Sequence, residues 1–177
     1  MVERFIRQRA PELKVSTREV SFYEPQTLDE NKVIEYKAGE AWQMFQCPLI
    51  VDDAGFYIDE FDGFPGPLAK PTVMSLGWDG MLQLAAPHYK ARIYCRLGYV
   101  DENGKLNHFR GETSGTLDIE TPPSLVERRG VYALLRPDDS NRTIAEMAGT
   151  EDADKYSPRA RALKKFIEHM AAKEKAE

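Results

Sequence analysis

The sequence predicts one α/β domain, residues 1–177, built on a central mixed, twisted sheet flanked by helices. Three observations lead there. Short β-prone runs bounded by Pro, Gly and Asn-Gly signals alternate with stretches whose apolar residues recur at helical spacing. At 177 residues, with 42% hydrophobic and 30% charged content, the chain has the size and make-up of an ordinary globular domain with a real core. No internal repeat, linker or low-complexity tract divides it.

Residues 2–9 read as the end of a helix, with Phe5 and Ile6 apolar and Pro11 closing it. Lys14–Phe22 alternates well enough for a strand. Thr27 and Glu30 have the spacing of a capping box, and Ile34, Ala38, Ala41, Trp42 and Phe45 then form the apolar stripe of a helix ending near Cys47 and Pro48. Lys37 follows Ile34 by about one turn, so its charge emerges at the edge of that stripe. Leu49–Val51 is a short strand expected to stop at Asp52 and Asp53, before a loop rich in Pro and Gly.

Thr72–Ala86 suits one or two short helices around Gly77 and Gly80, with Val73, Met74, Leu76, Met81, Leu82 and Leu84 as core. Ala91–Val100 and Leu106–Arg110 are strands joined by a turn that Asn103 and Gly104 mark strongly, and Thr113–Thr121 is a further strand stopped by Pro122 and Pro123. A short helix is expected around Ile144–Met147. The last helix starts with Ser157 as N-cap and Pro158 at its first position, and its residues from about 172 to 177 are expected to fray.

Composition excludes several functions. No apolar run is long enough to cross a bilayer, and the N-terminal residues lack the apolar centre of a secretory signal, so a cytoplasmic protein without a membrane partner is expected. Cys47 and Cys95 lack metal-ligand spacing and fit a reducing compartment as buried, inert thiols. A net charge of −5 argues against a nucleic-acid partner. His88, His108 and His169 are scattered singly, and HExxH, Walker and GxGxxG motifs are absent. Gly111–Gly115, GETSG, has Thr where a nucleophile elbow needs Ser, so a serine hydrolase is unsupported.

The acidic pair is the chemically informative feature. Successive residues of a strand face opposite ways, so only one of Asp52 and Asp53 can point at a given ligand. Two readings fit the pair: a solvated turn that opens with two acids, or a site for Mg²⁺, which takes a few protein oxygens and completes its shell with water and phosphate.

Taken in order, five segments resemble the inosine triphosphate pyrophosphatase family. PLIVDDAGF is similar to that family's strand with an acidic pair, and GFPGPLAK to its Leu-Pro-Gly-Pro-x-x-Lys loop. FRGETSGTL is similar to its Phe-x-Gly-x-Thr-x-Gly segment, RTIAEM to its Thr-x-Ala-Glu-Met, and SPRARAL to its Ser-His-Arg-x-x-Ala-Leu. The resemblance implies Mg²⁺-dependent hydrolysis of non-canonical purine nucleoside triphosphates, of the ITP, XTP or dITP class, to monophosphate and pyrophosphate by a homodimer. It makes Asp53 the catalytic carboxylate, with Glu24 and Asp53 on the metal. Lys37, Asp52, Ala54, Gly55, Ser157 and Arg159 then bind substrate.

The sequence departs from the family pattern in four places. The opening strand and its Thr/Ser-x-Asn-x-x-Lys loop have no counterpart before the first helix. Arg129 and Tyr132 stand where the family has Phe and Asp at the purine. Pro158 replaces the histidine that reads the purine, and Asp152 or Ala153 aligns with a family lysine, with Lys155 an approximate substitute. Arg128 and Arg129 fit either a solvated turn or a substitute anion site. The metal side is retained and the base-reading side altered, which sets a second expectation beside the enzyme: a catalytically impaired relative serving as a nucleotide-binding or assembly module. A third is a different phosphohydrolase using the same acids.

Overall fold

The computed structural model describes residues 2–83 and 89–175. Leu84, Ala86 and His88 lie outside these residues, as do the last two residues of the C-terminal tail. Helix α1, Val2–Arg9, buries Phe5 and Ile6. The alternating segment Lys14–Phe22 is not a strand. Most of it is exposed, and no strand among the described residues lies beside it to complete a ladder.

Helix α2, Glu30–Phe45, is capped by Asp29, whose Oδ1 accepts from the backbone N–H of Asn31 at 2.9 Å, while Thr27 Oγ1 accepts from the N–H of Asp29. The expected capping box between Thr27 and Glu30 is therefore displaced by two residues. Glu30 is left free to reach across to the sheet, where it meets Arg96 and Arg110. Strand β1, Leu49–Ile58, does not stop at the acidic pair but runs straight through it. A tight reversal at Asp59–Phe61 leads to the two-residue strand β2, Pro65–Gly66.

Helix α3, Ala69–Gln83, is broken at Gly77, whose backbone takes φ 68° and ψ 176°. The break separates the apolar residues: Val73, Met81 and Leu82 pack into the core, whereas Met74 and Leu76 are exposed rather than buried as expected. Strands β3, Lys90–Val100, and β4, Leu106–Leu117, form the long hairpin predicted at Asn103 and Gly104, with Asp101 Oδ1 accepting from the N–H groups of Asn103 and Lys105. β4 is one strand of 12 residues where two were expected. Helix α4 (Pro123–Arg129), strand β5 (Leu135–Pro137) and helices α5 (Ala153–Tyr156) and α6 (Pro158–Glu174) complete the order. Residues Ile144–Met147 form turns instead of the expected helix, tied by Thr143 donating to Glu146 Oε2.

The sheet has the order β2-β1-β3-β4-β5, and each of its four pairings is antiparallel, so the expectation of a mixed sheet is corrected. Each connection brings the chain back from the end at which it left. Two cores share one face of this sheet. At one end α6 and α1 cover Cys95, Leu97, Tyr99 and Ile50; at the other, α3, α4 and the turns at Ile144–Met147 cover Phe56, Ile58, Ala91 and Ile93. The opposite face is apolar only where Ile34, Ala38 and Ala41 of α2 meet Val51 and Val100. The rest of that face is polar.

Close backbone approach explains part of the FRGETSG motif. A Cβ on Gly111 would stand 2.0 Å from the carbonyl oxygen of Pro158 and 2.7 Å from the nitrogen of Ala162, so only glycine lets α6 cross β4 here. Thr113 then donates to the carbonyl of Tyr156 at 2.8 Å and ties the start of α6 to the same strand. Beyond the crossing, Arg161 and Lys165 donate to the carbonyl oxygens of Glu112 and Arg110. No helix among the described residues is long and apolar enough to cross a membrane.

Gly111→Ala is expected to lower stability by about 3 kcal/mol, since α6 must move off the sheet; urea unfolding of the variant measures it. The thiols also differ. Cys95 is buried, and burial with Asp52 nearby pushes it up to about 12, whereas Cys47 is exposed against expectation. Alkylation of the folded protein at pH 8 is expected to label Cys47 alone, read by peptide mass mapping.

Candidate active site

The sheet alternation separates the two acids of β1. Asp53 faces α2, and its Oδ1 lies 3.3 Å from Lys37 Nζ, which is itself 3.3 Å from Glu24 Oε1. Lys37 and Asp53 are largely shielded, with side-chain exposures of 13% and 11%, while Glu24 on the preceding loop is 36% exposed. Lys37 thus emerges at the edge of the α2 stripe as its spacing requires, but onto a carboxylate pair instead of into solvent.

Tyr94 on β3 donates its hydroxyl to Asp53 Oδ2 at 3.3 Å and stacks on Tyr57 with ring centres 5.1 Å apart. It was not singled out in the sequence. The signal lies in the β1–β3 register, which the sequence does not specify: Val100 pairs with Leu49 and so Tyr94 stands opposite Gly55, two residues from Asp53. Gly55 makes room for the ring: a Cβ there would stand 2.3 Å from Tyr94. Gly55 therefore shapes the site through packing.

Asp52 faces the other way, toward α6. Arg159 holds its Oδ2 through Nε at 2.8 Å and Nη2 at 2.7 Å, and Cys95 Sγ lies 3.8 Å from the same oxygen. Arg159 is thereby held firmly in its charged form, the attraction of Asp52 outweighing burial. Burial raises the phenol of Tyr132, and the nearby Arg159 opposes that rise. Ser157 Oγ accepts from the N–H of Ala160 as the cap of α6. Ala54 is exposed.

The candidate residues therefore form two groups, Asp53, Lys37, Glu24 and Gly55 on one face and Asp52, Ala54, Ser157 and Arg159 toward the other. Over Leu49–Gly55 the outer side of β1 carries no strand pairing among the described residues, since β2 pairs only at Phe56 and Tyr57. Strand β1 itself separates the groups, one on each face of the sheet. Four other basic residues join neither group: Arg128 and Arg129 are exposed in the last turn of α4, Lys70 of the GFPGPLAK segment is exposed, and Lys155 is engaged by Asp139 and the Tyr156 hydroxyl.

Among the described residues no cluster of three or more His, Cys, Asp or Glu could hold a metal. Two carboxylates nevertheless fit Mg²⁺, which binds one or two protein acids and takes its remaining oxygens from water and phosphate. Lys37 already shows that Glu24 and Asp53 can share a cation.

Desolvation raises the pKa of Asp53, and Lys37 opposes the rise. An acid whose native pKa exceeds its unfolded value binds its proton more tightly when folded. Stability attributable to this group is then gained as pH falls through the native pKa and is missing at neutral pH. Asp53→Asn is accordingly expected to raise the urea midpoint at pH 7, with the gap closing toward pH 4. A variant that is less stable at pH 7 would show that the ion pair with Lys37 outweighs the desolvation.

Comparison with known proteins agrees with this architecture. The Ham1 family model matches residues 3–169. The dITP/XTP pyrophosphatase of Thermococcus kodakarensis is 33% identical over 157 residues, 88% of this chain and 80% of that protein. The dITP/XTP pyrophosphatase of Methanopyrus kandleri is 29% identical over 158 residues, 88% and 82% of the two chains. Among solved structures, a HAM1 protein from Coxiella burnetii superposes with a TM-score of 0.74 at 16% identity, covering 97% of this chain and 93% of that one. With five ordered motifs, this fold and a family match over nearly its whole length, the chain belongs to the Ham1 family, the inosine triphosphate pyrophosphatase family that its sequence resembles.

Proposed function

We propose that this chain hydrolyses non-canonical purine nucleoside triphosphates of the ITP, XTP and dITP class to the monophosphate and pyrophosphate, in the cytoplasm and as a homodimer. The observation that carries the proposal is the Asp53–Lys37–Glu24 cluster, a shielded carboxylate on β1 with a cation and a second acid beside it. The names of the archaeal relatives support the substrate class.

Asp53 takes the proton of a water that attacks the triphosphate, the bond bridging the α- and β-phosphates breaks, and pyrophosphate leaves. Its raised pKa brings the carboxylate closer to the working pH than an ordinary aspartate, which favours proton uptake. Tyr94 fixes the carboxylate orientation through Oδ2. Lys37 offsets phosphate charge. Glu24 and Asp53 would hold Mg²⁺, which when bound polarises phosphoryl oxygens. Across the β1 edge, Arg159 and Ser157 stand on the base side, where Pro158 provides no hydrogen-bond donor.

One observation favours the second reading, a nucleotide-binding or assembly module. Arg159 is already engaged by Asp52 through two nitrogens, so it meets a base only if that pair opens or shares.

Purified protein with Mg²⁺ is expected to release pyrophosphate from ITP or XTP, and Asp53→Asn to lower kcat by about 10²–10⁴. A folded protein that binds these nucleotides without turnover establishes the module instead. Lys37→Met removes the cation that lowers the Asp53 pKa. The acid limb of its kcat/KM profile is therefore expected to move to higher pH, measured from initial rates across pH 4–8.

A further inference from the structure

We infer that Arg96 and Arg110, held together by Glu30 on the polar half of the α2 face, form a polyphosphate-binding subsite beside Asp53. The inference rests on the pyrophosphatase reading only in taking Asp53 as the reacting end. Asp53 of β1 is the register partner of Arg96 on β3, and Arg96 is the register partner of Arg110 on β4. Partners directly opposite in adjacent strands present their side chains on the same face. The three therefore form one row across the sheet, running from the carboxylate to two guanidinium groups.

Their present anion is a stand-in by its geometry. Glu30, at the first position of α2, accepts from Arg96 Nη2 and from Arg110 Nε at 2.8 Å each, both through Oε1. Its Oε2 is buried without a hydrogen-bond partner, and so is Arg96 Nε. One oxygen thus serves two guanidinium groups that each carry five N–H donors, while neighbouring polar atoms go unmatched. Arg110 has a second acceptor in Glu112 at 2.7 Å, and Glu112 also lies 3.7 Å from Arg92. Arg92 in turn is held by Asp59.

A half-buried ion network with unmatched atoms is a poor source of stability, since desolvation offsets most of the attraction. Elsewhere the same helix covers the same sheet with Ile34, Ala38 and Ala41 on Val51 and Val100, so packing has an apolar solution. A phosphate chain offers what Glu30 lacks: several charged oxygens able to accept from both planar forks at once. The positive end of α2 lies beside the pair and favours the same ligand. Ligand oxygens would replace Glu30 Oε1 as acceptor, leaving the carboxylate as a competitor that occupies the arginines when no phosphate is bound.

The test is calorimetric binding of inorganic tripolyphosphate to the full chain at pH 7 and 0.15 M salt, without metal. Arg96→Gln and Arg110→Gln are each expected to weaken binding tenfold or more, with Asp53→Asn equal to the parent protein or tighter. Glu30→Gln is expected to tighten binding at least threefold by removing the competing charge, an effect that a purely structural network would not produce. The proposal is overturned if folded arginine variants bind within twofold of the parent protein. If they do not fold, unchanged or weaker binding in Glu30→Gln overturns it. A protein that binds tripolyphosphate through these arginines yet releases no pyrophosphate from any nucleotide retains the subsite and loses the enzymatic reading. Turnover with unaltered tripolyphosphate binding and KM in the arginine variants does the reverse.

Discussion

Two carboxylates on consecutive residues of a buried strand must find their counter-charges on opposite sides of the sheet. That constraint organises the molecule. Asp53 is answered by Lys37 of α2 and Asp52 by Arg159 of α6, so the ion pairs at the centre of β1 draw a helix to each face. Leaving Asp53 without Lys37 would strand a charge in a low-dielectric setting, whereas the Asp52–Arg159 pair is more exposed and costs less to break. Neither acid can move to the other face without a register slip that would expose Val51 and Phe56.

The coverage of the two faces differs, and the difference creates the site. One face is apolar along most of its length and is closed by α1 and α6 at one end and by α3, α4 and the turns at Ile144–Met147 at the other. The other has apolar cover only under α2, beyond which Tyr57, Arg92, Tyr94, Arg96 and Arg110 take over. Asp53 stands at that boundary. Its raised pKa follows from the position: enough of the α2 core reaches it to strip water, and a single lysine only partly compensates.

Much of this was legible in the sequence because it depends on local chemistry. Asn103 and Gly104 specify the hairpin, Ser157 with Pro158 opens α6, and the spacing of Ile34, Ala38 and Ala41 sets the buried side of α2 and so directs Lys37. The readings that differ depend on partners. Lys14–Phe22 has strand alternation but no neighbouring strand among the described residues, and the apolar Met74 and Leu76 are carried outward by a backbone break at Gly77 that hydrophobicity does not encode. Glu30 looked like half of a capping box because spacing records separation along the chain, whereas its arginines lie 66 and 80 residues away. Tyr94 was hidden for the same reason.

The cations of α6 at the rim of β4 have a consequence for self-association. An open strand edge is a template for a further strand, and natural sheets blunt such edges with charge. Arg161 and Lys165 occupy the carbonyl oxygens of Glu112 and Arg110, so a second chain could extend the sheet there only by displacing both. Over Arg110–Glu112 growth of the sheet is thereby capped by side chains instead of by a further strand.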